Sequence, residues 1–211
     1  MAKVLGIKQQ RVQFFYDTLF KSRGDATVAN ITATELAAAE RKLFVTSRGS
    51  FDLSNMATGG QLVSDQTFLC YAVRHEVQFW GGASDVAPFQ NTPGVFVLFL
   101  NSTTFQFMCS EKIELEGPIA MTPAGGGPWG YVSDSVQPVL TNGEPQSRAL
   151  YVLPIPVAVT KRQGISVTMR IFELLGTANN ATVNVVNATN HYSGLRLCRT
   201  YLDGYHTRDV L

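Results

Sequence analysis

Between Thr67 and Trp80 the chain reads TFLCYAVRHEVQFW, and alternate positions differ in character. Leu69, Tyr71, Val73, His75, Val77 and Phe79 share one side, apolar but for the histidine. Phe68, Cys70, Ala72, Arg74, Glu76, Gln78 and Trp80 share the other. A period of two is that of a half-buried β-strand. At about 3.3 Å per residue the stretch spans roughly 45 Å, which suits the centre of a β-sandwich.

The same alternation recurs. In 105–116, Phe105, Phe107, Cys109, Ile113 and Leu115 face inward, with Glu111 as the exception on that face. In 165–174, Ile165, Val167, Met169 and Ile171 do so. VFVLFL (95–100) is apolar on both sides and predicts a deeply buried strand. Further strands are expected at 43–53, 150–160, 183–186 and 195–202; Pro154 and Pro156 make the second of these edge-like, and Asp203-Gly204 ends the last. The Pro- and Gly-rich stretch 122–147 predicts a long loop with a short strand near Val136–Leu140. About eight strands with turn signals at short intervals predict an all-β fold, a jelly-roll-like antiparallel sandwich.

The N-terminal stretch reads differently. Lys3, Lys8, Arg11, Lys21 and Arg23 stand against Asp17 alone, and Val12, Phe15, Tyr16 and Leu19 fall at helical spacing. This predicts a basic amphipathic helix. Thr32-Ala-Thr-Glu35 is a capping box that predicts a second, short helix over about 33–41. The expected division is therefore an N-terminal helical arm, 1–41, and a sandwich domain, 42–211. The arm is open to three uses: capping the sandwich, reaching a neighbouring subunit, or touching a membrane surface or nucleic acid.

Composition narrows the function. The 211 residues suffice for one all-β domain, and a net charge of +1 does not advertise nucleic acid as a partner of the whole chain. Charged residues make up only 16%, low for a solitary soluble protein, so the surface is expected either to be covered by other subunits or to be rich in Ser, Thr, Asn and Gln, which this chain also has. Cys70, Cys109 and Cys198 are odd in number and far apart, which predicts reduced thiols. The start, MAKVLGIKQQRVQFF, has no long apolar run, so no secretory leader is expected, and no stretch is apolar enough to span a membrane.

Catalytic patterns do not emerge. There is no GxSxG, and Gly125-Gly-Gly lacks the Gly-Lys-Ser/Thr of a phosphate loop. His75, His191 and His206 have no partner at metal-ligand spacing. Neither an enzymatic activity nor a cofactor or metal is expected. Glu114 and Glu116 share one side of a strand, where a solvated face explains them better than a glycosidase pair. Phe89, Trp129 and Tyr131 sit in Gly- and Pro-rich stretches, where they can anchor a loop, fill a partner's pocket or stack on a sugar.

Two stretches carry a family resemblance: FDLSNMATGGQLVSDQTFLCYAVRHEVQF (51–79), where a polar turn feeds the long strand, and GLRLCRTYLDGYHTRDV (194–210), a closing strand and polar tail. With the jelly-roll rhythm over about 42–211, the chain resembles single jelly-roll major capsid proteins of tailless icosahedral bacteriophages, including those with an internal membrane. The resemblance implies a virion protein, made in the host cytoplasm, that self-assembles into capsomers of pseudo-hexagonal outline. It implies contacts with other copies of the chain, with a second capsid or vertex protein, and through the arm with an internal membrane or the genome. Mapped here, Lys3, Lys8, Arg11, Phe15, Lys21 and Arg23 would be the arm's contacts. Phe89, Trp129 and Tyr131 would lie in candidate interface loops. A carbohydrate-binding sandwich, or a phage tail or decoration protein, is the alternative.

Overall fold

The computed structural model describes residues 8–21, 40–45, 53–62, 66–80, 92–127, 129–133, 136–143, 150–160, 163–171 and 195–209. These form strands β1 (Lys8–Lys21), β2 (Arg41–Leu43), β3 (Gln66–Trp80), β4 (Thr103–Cys109), β5 (Lys112–Pro118), β6 (Trp129–Ser133), β7 (Val136–Thr141), β8 (Val152–Val159), β9 (Ile165–Ile171) and β10 (Leu195–Asp209). A helix, α1 (Thr92–Ser102), precedes β4.

Two antiparallel sheets result. One has six strands in the order β1-β10-β3-β7-β6, with β8 also on β3; the other has four, in the order β2-β9-β4-β5. The expected all-β sandwich is therefore present. Its pairings nest along the chain: β4 with β5, β3 with β8, β2 with β9 and β1 with β10. Between the sheets lie Phe15, Phe68, Val73, Val77, Phe105, Phe107, Val167, Met169 and Leu202, all buried.

β3 and β10 form a long ladder, from Leu195 opposite Phe79 to Arg208 opposite Gln66. The far edge of β3 is completed in three pieces. β8 pairs with Phe68–Ala72, and β7 pairs with Gln78–Trp80. Between them the chain at 122–124 takes over: His75 N–H donates to Thr122 O at 2.8 Å, and Ala124 N–H donates to His75 O at 3.0 Å.

The alternation of β3 changes phase at Tyr71. Cys70 faces Gly204 and Ala72 faces Asp203, so Tyr71 has no opposite residue. Such a bulge shifts the inward set by one position. Phe68 and Cys70 point inward before it and Val73, His75 and Val77 after it, each at most 1% exposed. Leu69, which strict alternation assigns to the inward side, is 39% exposed. Nor do Asp203-Gly204 end β10, which runs on to Asp209. A side chain at Gly204 would collide with Leu69 O and the Phe68 ring.

Three further expectations are corrected. The predicted basic helix is strand β1, paired to β10 from Lys8 opposite Asp209 to Lys21 opposite Leu197. Its Val, Phe, Tyr and Thr content favours a strand, and the pairing outweighs the helical spacing of Val12, Phe15, Tyr16 and Leu19. Segment 95–100, expected as a strand, lies in helix α1. Phe96, Phe99 and Leu100 are buried while Val97 is exposed, a helical spacing, and Pro93 sits in the first turn, where proline is tolerated. The single strand expected over 105–116 is the hairpin β4–β5. Its turn holds Ser110 at φ 58°, and Glu111 is an exposed turn residue, not an inward one. The turn went unmarked because it has neither glycine nor asparagine.

The stretch 122–147 contains β7, the short strand expected near Val136–Leu140, and also β6. Of the strand expected over 43–53 only Leu43 lies in β2, and of the short helix expected over 33–41 Arg41 instead begins β2, while 33–39, 46–52 and the strand at 183–186 fall outside the described residues. Buried Asp17 in β1 joins the two sheets: its carboxylate accepts from Phe44 N–H, just after β2, at 2.6 Å. Phe44 is left-handed there, at φ 66°, with its ring fully buried.

Gly204→Ala is expected to lower stability by about 2–3 kcal/mol in urea denaturation, because overpacking forces β3 and β10 apart. Gly164→Ala, whose nearest atom would be Gly60 O at 3.9 Å, should change it by no more than about 1 kcal/mol. Equal effects would contradict the role given to the bulge.

Candidate functional site

The outer face of the six-stranded sheet carries the densest side-chain network among the described residues. Opposed pairs in a ladder bring side chains of neighbouring strands together on one face. Arg74 on β3 reaches Asp203 on β10 through two bonds, Nε to Oδ2 at 2.5 Å and Nη2 to Oδ1 at 2.8 Å. Its guanidinium lies 4.8 Å over the Tyr201 ring. Tyr201 donates its hydroxyl to Glu76 at 2.6 Å. Arg199 lies 4.9 Å over the Tyr16 ring and donates from Nε to Thr18 Oγ1 at 2.9 Å. Phe14 sits 6.1 Å from Tyr201 and 6.2 Å from Tyr16, and Tyr71 sits 5.5 Å from Tyr205.

This network is half-buried, and its members are bonded to one another. Burial, and then the neighbouring Glu76 carboxylate, push the Tyr201 hydroxyl up to about 12. Tyr201 therefore stays neutral and serves as a donor. Arg74 is pulled down by burial, but the Asp203 carboxylate outweighs this and leaves it above its ordinary value. Planar, bidentate pairing suits arginine and holds its orientation. On the other sheet Arg170 pairs with Glu40.

The outer face of the other sheet is different in kind. Gln106 donates to Glu116 at 3.1 Å, Lys112 pairs with Glu114 at 3.0 Å, and Arg170 pairs with Glu40 at 2.5 Å. Glu114 and Glu116 thus belong to an ordinary solvated surface.

A polar cleft of about 240 Å³ opens beside β1, lined by Gln13, Asn55, Thr58, Gln61, Gln66 and His206 among others. Asn55 is committed to the β1 edge: its side chain accepts from Tyr16 N–H at 2.8 Å and donates to Phe14 O at 2.7 Å. The free edge of β1 is in this way partly covered, a common protection against unwanted strand addition.

His75 is fully buried against the Phe105 ring, 4.4 Å between centroids. Its Nδ1 shares a hydrogen bond of 2.7 Å with the Thr122 hydroxyl, and its Nε2 makes none. Asn142 binds the same stretch, donating to His75 O and accepting from Val77 N–H at 3.0 Å. Burial pulls the His75 imidazole down to about 3, so it is neutral and ties 122–124 and Asn142 to β3. The glycine run beside it packs on Gly143, where a Cβ would lie 2.6 Å from Gly126 N. The three cysteines are free and buried, and burial pushes Cys70 and Cys198 up to about 12. They remain thiols rather than nucleophilic thiolates at neutral pH.

The structure disperses the residues singled out as arm contacts. Lys8 and Lys21 stand at the two ends of β1, and Arg11 is exposed on it. Phe15 is corrected from a contact residue to a core residue, 6% exposed and edge-on to Phe68 at 4.7 Å. Lys3, Arg23 and Phe89 lie outside the described residues, and Trp129 and Tyr131 belong to β6. Among the described residues no group of three His, Cys, Asp or Glu side chains is placed to hold a metal ion. No helix there is long and apolar enough to cross a membrane. The Arg74–Asp203–Tyr201–Glu76 network was not anticipated; its members were visible as charges and aromatics, but their pairing depends on the β3–β10 register.

Burial of the His75 imidazole makes stability depend on pH. The unfolded chain binds a proton near pH 6.5 and the folded one only near 3, so stability is full above 6.5 and falls as pH drops toward 3. Between pH 7 and 5 wild type is expected to lose about 2 kcal/mol through this group. His75→Gln, which can still bond Thr122 but does not titrate, should lose less by that amount in urea denaturation at the two pH values. An identical pH response in both proteins would contradict the assignment.

Comparison of the chain with models of known protein families, with curated proteins and with solved structures finds no match.

Proposed function

We propose that the sandwich is a jelly roll and that the chain is a virion structural protein, a subunit that self-assembles into the capsomers of an icosahedral shell. The nesting of strand pairs carries this reading. Folding a hairpin of nested pairs over on itself generates two four-stranded halves, β1-β10-β3-β8 and β2-β9-β4-β5, which is the observed order with the β6–β7 hairpin added beside β3. Eight strands joined in this way are the architecture of viral capsid and lectin domains and of cupins.

Surface character favours assembly over a solitary life. Charged residues are only 16% of the chain, and large apolar side chains stand exposed, Ile155 at 81% and Val12 at 74%. Many small apolar contacts, repeated by symmetry, hold a shell together. The site of assembly would be the virion, after synthesis in the host cytoplasm. Arg11, exposed on β1, is a contact point for the genome or an internal membrane, and a second capsid or vertex protein could share the shell. An amide-rich cleft beside β1 supports a second reading, carbohydrate binding.

Purified protein examined by size-exclusion chromatography with light scattering is expected to run as trimers, hexamers or larger closed particles. A stable monomer that binds glycans in the cleft would sink the shell reading and favour the second one.

A further inference from the structure

The two outer faces of the sandwich differ in a way that assigns them different tasks. One, over β4, β5 and β9, carries Lys112, Glu114, Gln106, Glu116 and Arg170, the residues of a wet surface. The other, over β1, β10 and β3, is a layer of aromatic rings and arginines. Neither β3 nor β10 contains a lysine, and the two of β1, Lys8 and Lys21, stand at its ends. Enrichment in aromatics and arginine with depletion of lysine is the composition of an interface core.

We propose that the outer face of β1, β10 and β3 is a contact surface that packs against a second copy of this chain. The proposal rests on the reading of the chain as a self-assembling subunit and names the surface that does it. Three observations point to a like partner. First, the charges on this face are matched within it: Arg74 lies on Asp203, while Arg199 and Glu76 both meet the Tyr201 hydroxyl. A face with balanced charge can meet its own copy without the repulsion that like charges impose. Second, the size fits. Three strands of 14 and 15 residues give a strip of about 50 Å by 14 Å, or about 700 Å², near the roughly 800 Å² each partner gives to a stable interface.

Third, the anchors are set before docking. Tyr16, Tyr201, Arg74 and Arg199 are held by ring stacking and hydrogen bonds within the chain. Side chains already fixed lose little rotamer freedom on association. Beside this fixed centre stand the parts that remain to be covered: Val12, Phe14 at 48% exposed, Leu69 and Tyr205. Val12 lies opposite Tyr205, and Tyr205 opposite Leu69, so they form one continuous apolar strip across three strands. A twofold contact of this face with itself would put strip on strip.

Sedimentation velocity over a concentration series tests this. Phe14→Glu and Val12→Glu place a charge on the strip; Ile113→Glu, at a site 45% exposed on β5 of the other sheet, is the control. With melting curves by circular dichroism showing that each variant is folded, the strip variants are expected to raise the concentration needed for association at least tenfold, and the control by less than about twofold. Val12 is the more exposed of the pair, so its variant stands if Phe14→Glu does not fold. If wild type associates and the folded strip variants associate equally well, the face is wrong while the shell reading survives. If wild type stays a monomer at every concentration, the shell reading fails and the face falls with it.

Discussion

An internal strand of fifteen residues has to satisfy backbone donors and acceptors along both of its edges, and β3 is such a strand. β10 serves one edge from end to end. The other edge needs β8, then the 122–124 segment with Asn142, then β7. Much of the architecture follows from this demand. It places β8 and β7 on the same side of β3, and it makes fully buried His75 the joint between them. A buried neutral histidine suits that joint because its ring fills apolar space against Phe105 while Nδ1 holds the Thr122 hydroxyl. The same demand explains why a glycine- and proline-rich stretch is packed against the sheet here rather than projecting as a free loop.

Much of this was legible in the sequence where the controlling interaction is local. β4 and β9 bury alternate residues as their patterns predict: Phe105, Phe107 and Cys109 in one, Ile165, Val167 and Met169 in the other. The existence of β3 was equally plain. Its phase was not, because the bulge at Tyr71 faces Gly204, which is distant in the chain, and only Gly204 admits the Phe68 ring. β1 misled for the same reason: local spacing offered a helix, and pairing with β10 made a strand. In α1 an apolar run has no period that separates a buried strand from a buried helix, and only Thr92-Pro93 marked a helix start. The outer-face network was hidden because Arg74 meets Tyr201 and Asp203 only once β3 and β10 are in register.

The two faces of β3 also divide the protein's work. Inward, Phe68, Val73 and Val77 hold the sheets together with Asp17, which spans them through the Phe44 backbone. Outward, arginine, tyrosine and glutamate are locked to one another rather than left to water. A surface that orders its own side chains has already met part of the entropic cost of binding. In a protein with few charges and a nested strand order, that arrangement accords with the proposed contact between copies of the chain.

Electron cryomicroscopy of the purified full-length protein at concentrations where it associates is the most direct test of this account. It should show closed particles or capsomers in which the sandwich repeats by symmetry and the β1-β10-β3 face lies against a neighbouring copy. Single, unassociated sandwiches at every concentration, or particles in which that face points only to solvent, would contradict it.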